Sequence, residues 1–360
     1  MRLKQIFVIA SLLLPLLSVI APVAQAEEVD ALLQQREELS DEKVGAREEV
    51  VNGVKQQAGS SLVAPESQAE EVKYIVKNST LIVKDGVTEF GSLDFLGLDK
   101  HSIKKVTFPS SLRKIDNYTF RDCSSLKEVL FSEGVDSIGE YAFAYSRIEE
   151  VVMPNSVRYL GECAFSKCLE LKRVQLSKGL NSIAGKAFES CVSLKEVTFP
   201  DSLSSIKNGA FSQCKALERV TFPSALEYIG YWAFEECVSL KTIDIPASVT
   251  HVRARAFRCC ENLVSVTMPD SLETIEEEMF ENCSSLERVH LPSSLKFIEA
   301  YAFDGCPKLD KQKLAIGRKV KVDRDAFGDS FLTRFSDRLS DVWEDVWEGV
   351  LEILFWPFIH

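Results

Sequence analysis

Residues 194–217 read LKEVTFPDSLSSIKNGAFSQCKAL, and this stretch decides the fold. Val197 and Phe199 alternate with Glu196 and Thr198, the period of a strand with one buried face, and Pro200 ends the strand. Ile206, Ala210, Phe211, Cys214 and Leu217 follow at the spacing of a helix or of tight turns. Working outward, the same order of residue types starts at Lys104, Lys127, Glu149, Lys172, Lys195, Glu218, Lys241, Val264 and Glu287, and runs out at Leu309. Eight units have 23 residues and one has 22. A period of this length is the signature of a solenoid. One such unit cannot bury enough apolar surface to offset the ordering of its own backbone, so neighbouring rungs must share a core.

The spacing Leu-x-x-Val-x-Phe-x-x-Ser-x-Leu resembles a leucine-rich repeat, with Ser where many repeats place Asn or Cys. The longer form ending Ala-Phe-x-x-Cys-x-x-Leu is similar to the BspA-like class of leucine-rich repeat surface proteins, over residues 104–309. The resemblance implies an exported protein, of the kind found in bacteria and some protists, that works in adhesion or host-protein binding. Departures are Tyr145-Ser146, where the usual Cys is missing, and Met279 in place of Ala. In two units Ser132 and Ser177 replace the Pro, and Gly134 and Gly179 stand two positions later, which predicts a conformationally permissive corner.

The expected fold class is an α/β repeat. It is a leucine-rich-repeat solenoid of about nine 23-residue units with divergent terminal repeats and a parallel sheet on one face, flanked by an N-terminal helical or disordered stalk and a C-terminal amphipathic helix. Residues 1–26 read as a signal peptide: Arg2 and Lys4, an apolar run from Ile6 to Ala21, and small residues at Ala24 and Ala26. Residues 27–76 are the acidic stalk, with twelve Asp/Glu against five Lys/Arg as far as Tyr74. Residues 77–103 form a divergent cap repeat (Leu81, Val83, Val87, Phe90, Phe95), 104–309 the nine repeats, and 310–329 a degenerate repeat (Leu314, Ile316, Val320, Val322, Phe327). In 330–360, Phe335, Leu339, Val342, Trp343, Val346, Trp347, Val350 and Leu351 keep helical spacing. That helix is read first as a cap on the last rung, and second as a membrane-surface or partner-binding element.

Eight of the ten cysteines share one repeat slot, from Cys123 and Cys168 to Cys306, which predicts a ladder of free buried thiols beside the Phe of each Ala-Phe pair. Cys163 and Cys259 fall outside the slot and are the candidates for reactive or disulfide-forming thiols, though four rungs apart they do not reach each other within one chain. A net charge of −12 disfavours nucleic acid as a partner. Four histidines leave little material for a histidine-based centre, and no nucleophile elbow, phosphate loop or zinc spacing is present. The run from Asp323 to Gly328 starts like a calcium loop, but Phe327 takes a ligand position and Arg334 stands where the bidentate Glu belongs, so no metal site is assigned. No catalytic residue and no cofactor follow from the sequence.

Strand alternation instead gives an outward face. Its first column is Lys105, Glu128, Glu150, Arg173, Glu196, Arg219, Thr242, Ser265 and Arg288, and its second runs Thr107, Leu130, Val152, Gln175, Thr198, Thr221, Asp244, Thr267 and His290. Leu130 and Val152, rimmed by Glu128, Glu150, Arg173, Gln175, Glu196 and Arg219, form the candidate site for an extracellular or host protein. Tyr159, Tyr228 and Phe297, with Trp232 and Tyr301 nearby, are a second candidate, for glycan or protein. The leading function is therefore a non-catalytic binding or adhesion module that is secreted, periplasmic or on the cell surface. The alternative is a structural envelope scaffold assembling through the stalk or the C-terminal helix.

Overall fold

The computed structural model describes residues 72–92 and 97–328. The signal peptide, the stalk before Val72, Phe95 and the C-terminal helix of 330–360 lie outside the described residues. The rungs stack in register. Val174 pairs with Val151 on one side and with Val197 on the other, and all three point into a common core. This ladder of three-residue strands runs from Lys105–Thr107 to Arg288–His290. It is interrupted twice. One break falls between Glu128–Leu130 and Glu150–Val152, across the shortened unit. The other falls at residues 219–221, which form no strand, although Val220 stays buried and the Phe199 and Phe222 rings stack at 6.0 Å.

A second parallel ladder, absent from the sequence reading, is built from two-residue strands. They run from Glu89–Phe90 to Lys321–Val322, with two breaks, one between Tyr159–Leu160 and Ser182–Ile183 and one between His251–Val252 and Thr274–Ile275. Their inward residues, such as Ile183, Ile206 and Ile229, form the other wall of the core.

The α component of the expected class is corrected here. Among the described residues there is no α-helix, only 3-10 geometry at Ser92 and in a turn at Lys100–Ser102. The Ala-Phe-x-x-Cys segments are stacked turns. Each rung places two residues in the left-handed region, four apart, as at Lys186 (φ 54°) and Ser190 (φ 56°) or Trp232 (φ 55°) and Glu236 (φ 54°). A right-handed helix cannot pass through such positions. Their amides bond to the next rung instead: Phe188 N–H donates to Ala210 O at 2.9 Å, Ser190 N–H to Ser212 O at 2.8 Å, and Phe211 N–H to Ala233 O at 2.8 Å. Alternate amides of the turn side are thereby satisfied between rungs, and those between them close short turns along the chain, as Glu189 N–H does to Lys186 O at 3.1 Å.

The core is a set of columns. Phenylalanine rings stack from Phe90 through Phe143, Phe188 and Phe234 to Phe327, with neighbouring centroids 5.2–6.0 Å apart. Beside them runs the thiol column, and all ten cysteines are unpaired. From Cys168 to Cys306 each column thiol donates to a Phe carbonyl on the rung before it, Cys191 to Phe165 O and Cys214 to Phe188 O, both at 3.2 Å. Where the Cys is missing, Ser146 fills the slot, its hydroxyl 3.2 Å from Cys168 Sγ.

The Ser of the Ser-x-Leu slot reaches back one rung, Ser202 to Leu180 O at 2.8 Å and Ser248 to Leu226 O at 2.6 Å. In the two units that carry Gly there, the Ser in the Pro slot does this work: Ser132 donates to Pro109 O at 2.5 Å and Ser177 to Val157 O at 2.8 Å. The reason for the glycines differs from the permissive backbone expected of them. Neither has a positive φ; a Cβ on Gly179 would lie 1.5 Å from Arg158 Nη1, and one on Gly134 2.3 Å from the Ser110 carbonyl oxygen and 2.4 Å from Arg113 Nη1. Close approach, of a guanidinium at Gly179 and of backbone carbonyls with a guanidinium at Gly134, excludes the side chain, not a need for backbone freedom.

The first rung is covered by a hairpin. Tyr74–Lys77 pairs antiparallel with Thr80–Val83 through a two-residue turn with positive φ at Asn78 and Ser79, the turn that matches strand twist. Thr80–Val83 then starts the parallel ladder, Leu81 lying against Val106. At the other end Lys321–Val322 pairs with Phe297–Ile298, and Phe327 stacks on Phe303 at 5.4 Å.

Candidate binding surface

The three-residue strands present their first and third side chains outward because the central Val or Ile is held in the core. Glu128, Glu150, Arg173, Gln175, Glu196 and Arg219 are all exposed. Leu130 is 45% exposed and Val152 50%, on consecutive rungs. Since the ladder is interrupted between their strands, the two side chains are not a backbone-paired couple. Around them the charges are matched: Lys105 Nζ lies 2.8 Å from Glu128, and Arg173 Nη2 lies 2.7 Å from Glu150. The bond from Arg173 holds the Glu150 carboxyl below its usual range. The surface is thus an apolar pair within a rim of neutralised, solvated charge.

The second candidate group is divided. Tyr159, Phe297 and Trp232 are exposed, whereas Tyr228 and Tyr301 are half-buried. Two further groups escaped the sequence reading. Leu169, 53% exposed, follows Cys168 in a slot where other rungs carry Ser, Arg, Val, Lys, Glu or Pro, so no period marks it. Tyr118 and Tyr141 stack at 5.2 Å, and Arg121 lies within 6 Å of both rings and of Tyr145. Tyr118, Tyr141 and Tyr145 all sit in left-handed slots, whose residue types vary too much to signal anything. His251 and His290 are exposed on different rungs.

The BspA type leucine rich repeat region family matches residues 88–218 and 204–333, in six copies. The chain belongs to this family. Among solved structures, this BspA-type leucine-rich repeat chain is similar to a leucine rich cell surface protein from Faecalibacterium prausnitzii, with 26% identity over 59% of this chain and 78% of that one, at a TM-score of 0.38. It is also similar to a leucine-rich repeat protein from Eubacterium ventriosum (22% identity, 69% of this chain and 82% of that one, TM-score 0.41). A third is the leucine rich repeat protein of T. pallidum (25% identity, 72% and 98%, TM-score 0.38). No curated protein matches this BspA-type chain.

Proposed function

We propose that this chain is an exported, non-catalytic module that holds an extracellular protein on its three-residue-strand face, with Leu130 and Val152 as the anchor. The observation that carries the reading is the exposure of these two large apolar side chains among three-residue strands whose other outward residues are polar; the hairpin that starts the sheet adds Ile75 and Ile82 to the same column, beyond Thr107. Apolar anchors ringed by polar side chains concentrate binding energy, because the rim keeps water from the centre. Glu128, Glu150, Arg173, Gln175, Glu196 and Arg219 would set register and exclude partners of the wrong charge. Membership of a leucine-rich repeat surface family supports a binding role over a catalytic one.

The test is to capture extracellular proteins on the full chain, identify one that saturates, and measure its affinity for Leu130→Ser combined with Val152→Ser. The expected loss is about tenfold or more, in line with ~1.4 kcal/mol or more at an anchor, with unchanged circular dichroism. Undiminished affinity in the folded double variant removes this surface as the binding site.

A further inference from the structure

The ladder of two-residue strands has its own outward column, and one part of it is hollow. Tyr159 and Tyr228 occupy the same slot three rungs apart, roughly 14 Å at ~4.8 Å per rung. The rungs between them carry Ser182 and Ser205, which are in register with Tyr228. Ser182, with Ala184 and Gly185, lines a trough of about 500 Å³ flanked by the two rings. It lies at the break in that ladder between Tyr159–Leu160 and Ser182–Ile183.

Cations gather here although the chain carries a net charge of −12. Arg158 and Lys207 line the trough against a single acid, Glu162. The Arg158 guanidinium bonds to the Asn155 carbonyl at 2.6 Å and lies against the Gly179 corner, at the rim of the trough rather than on its floor. Lys207 Nζ lies 5.2 Å from the centre of the Tyr228 ring; the Arg253 guanidinium, 5.7 Å from the same centre, is already paired with Glu276 at 3.0 Å, so Lys207 is the cation the trough offers beside that ring. Farther along the same column, His251 and Thr274 separate Tyr228 from Phe297, and the hollow beside Phe297 is lined by Glu277, Glu299 and Asp323 against Lys321. The positive sign is therefore local to the trough between Tyr159 and Tyr228.

We propose that this trough binds a short anionic oligosaccharide, its rings lying against Tyr159 and Tyr228 and its carboxylate or sulfate groups meeting Lys207 and Arg158. Aromatic faces take up the C–H faces of sugars while their polar edges stay wet. The guanidinium and ammonium supply charge-assisted hydrogen bonds to the acid groups. The polar lining, Ser182 and Asn208, suits a ligand rich in hydroxyls better than it suits apolar side chains. None of these residues belongs to the face proposed for protein, so either reading can fail without the other.

The test is a glycan array of uronic-acid, sialylated and sulfated oligosaccharides beside their neutral counterparts, probed with the full chain. Calorimetry then compares trigalacturonate and sialyllactose with cellotriose and lactose. An acidic probe should saturate and bind at least about tenfold more tightly than its neutral counterpart, and raised salt should weaken it. Tyr159→Ala with Tyr228→Ala should lower that affinity about tenfold or more, as should Lys207→Glu. Ser182→Tyr, which fills the floor from the solvent side, should also abolish binding, and it keeps the test open should the double variant not fold. Absence of acidic-probe binding, equal binding of neutral sugars, or folded variants that bind undiminished would each overturn the proposal. Equal affinity for an acidic peptide of matched charge would overturn the saccharide assignment.

Discussion

Gly179 shows how one residue ties two rungs together. It lacks a side chain because Arg158 of the previous rung reaches across its corner to the Asn155 carbonyl. Gly179→Ala is therefore expected to destabilise the fold by about 1–3 kcal/mol through overpacking, and Arg158→Ser should return most of that loss. Denaturation midpoints of both single variants and the double variant give the coupling; strictly additive effects would refute the account. The thiol column makes a second residue-scale prediction. Burial pushes the Cys168 and Cys123 thiols up to about 12, and raises those of Cys191, Cys214, Cys260 and Cys283 as well. In the unfolded chain these thiols ionise from about pH 8.5, whereas in the folded protein they remain neutral. The unfolded state thus binds fewer protons over that interval, and stability should fall from about pH 9 towards 12. Urea melts across this range should show the decline, and it should be shallower when Cys168, Cys191 and Cys214 are replaced by Ser. Below pH 8, a thiol reagent should label half-exposed Cys259 first and the column only after unfolding.

At the scale of the element, the strand face was legible in the sequence and the turn side was not. Val197 and Phe199 alternating with Glu196 and Thr198 could only be a half-buried strand, so the inward and outward columns follow directly. Ile206, Ala210, Phe211 and Cys214 have a spacing that a helix and a pair of tight turns satisfy equally. What separates the two is backbone sign, and the left-handed slots carry Tyr118, Lys186, Trp232, Arg255 and Tyr301, residues that announce no positive φ. Only Gly209, Gly305 and Gly328 betray those slots. The cost of about 1–2 kcal/mol for each bulky residue held there is offset by amide bonds to the next rung, a contribution that local propensity does not contain. The candidate sites divide in the same way. Leu130 and Val152 could be placed by alternation alone, whereas the trough between Tyr159 and Tyr228 depends on a ladder of two-residue strands too short to register as a period.

For the whole array, stability is a sum over neighbouring rungs, because each rung bonds and packs mainly with the ones before and after it. Excising residues 195–217, one full period, joins Leu194 to Glu218 with every column in phase. The shortened chain is expected to remain folded and cooperative, with a smaller urea m-value in proportion to the surface lost. Excising residues 195–206, about half a period, sets strands against turns and should abolish cooperative unfolding. Comparable melts for the two deletions would show that column phase does not govern the fold.

The antiparallel hairpin of Tyr74–Lys77 and Thr80–Val83 bears on the history of the gene. Because its first strand runs against all those that follow, it is not interchangeable with a rung, and duplicating it would place a reversed strand in the middle of the stack. Copy number can therefore drift only by unequal exchange inside the tract, leaving the opening motif as a fixed landmark while the interior lengthens or contracts one coil at a time.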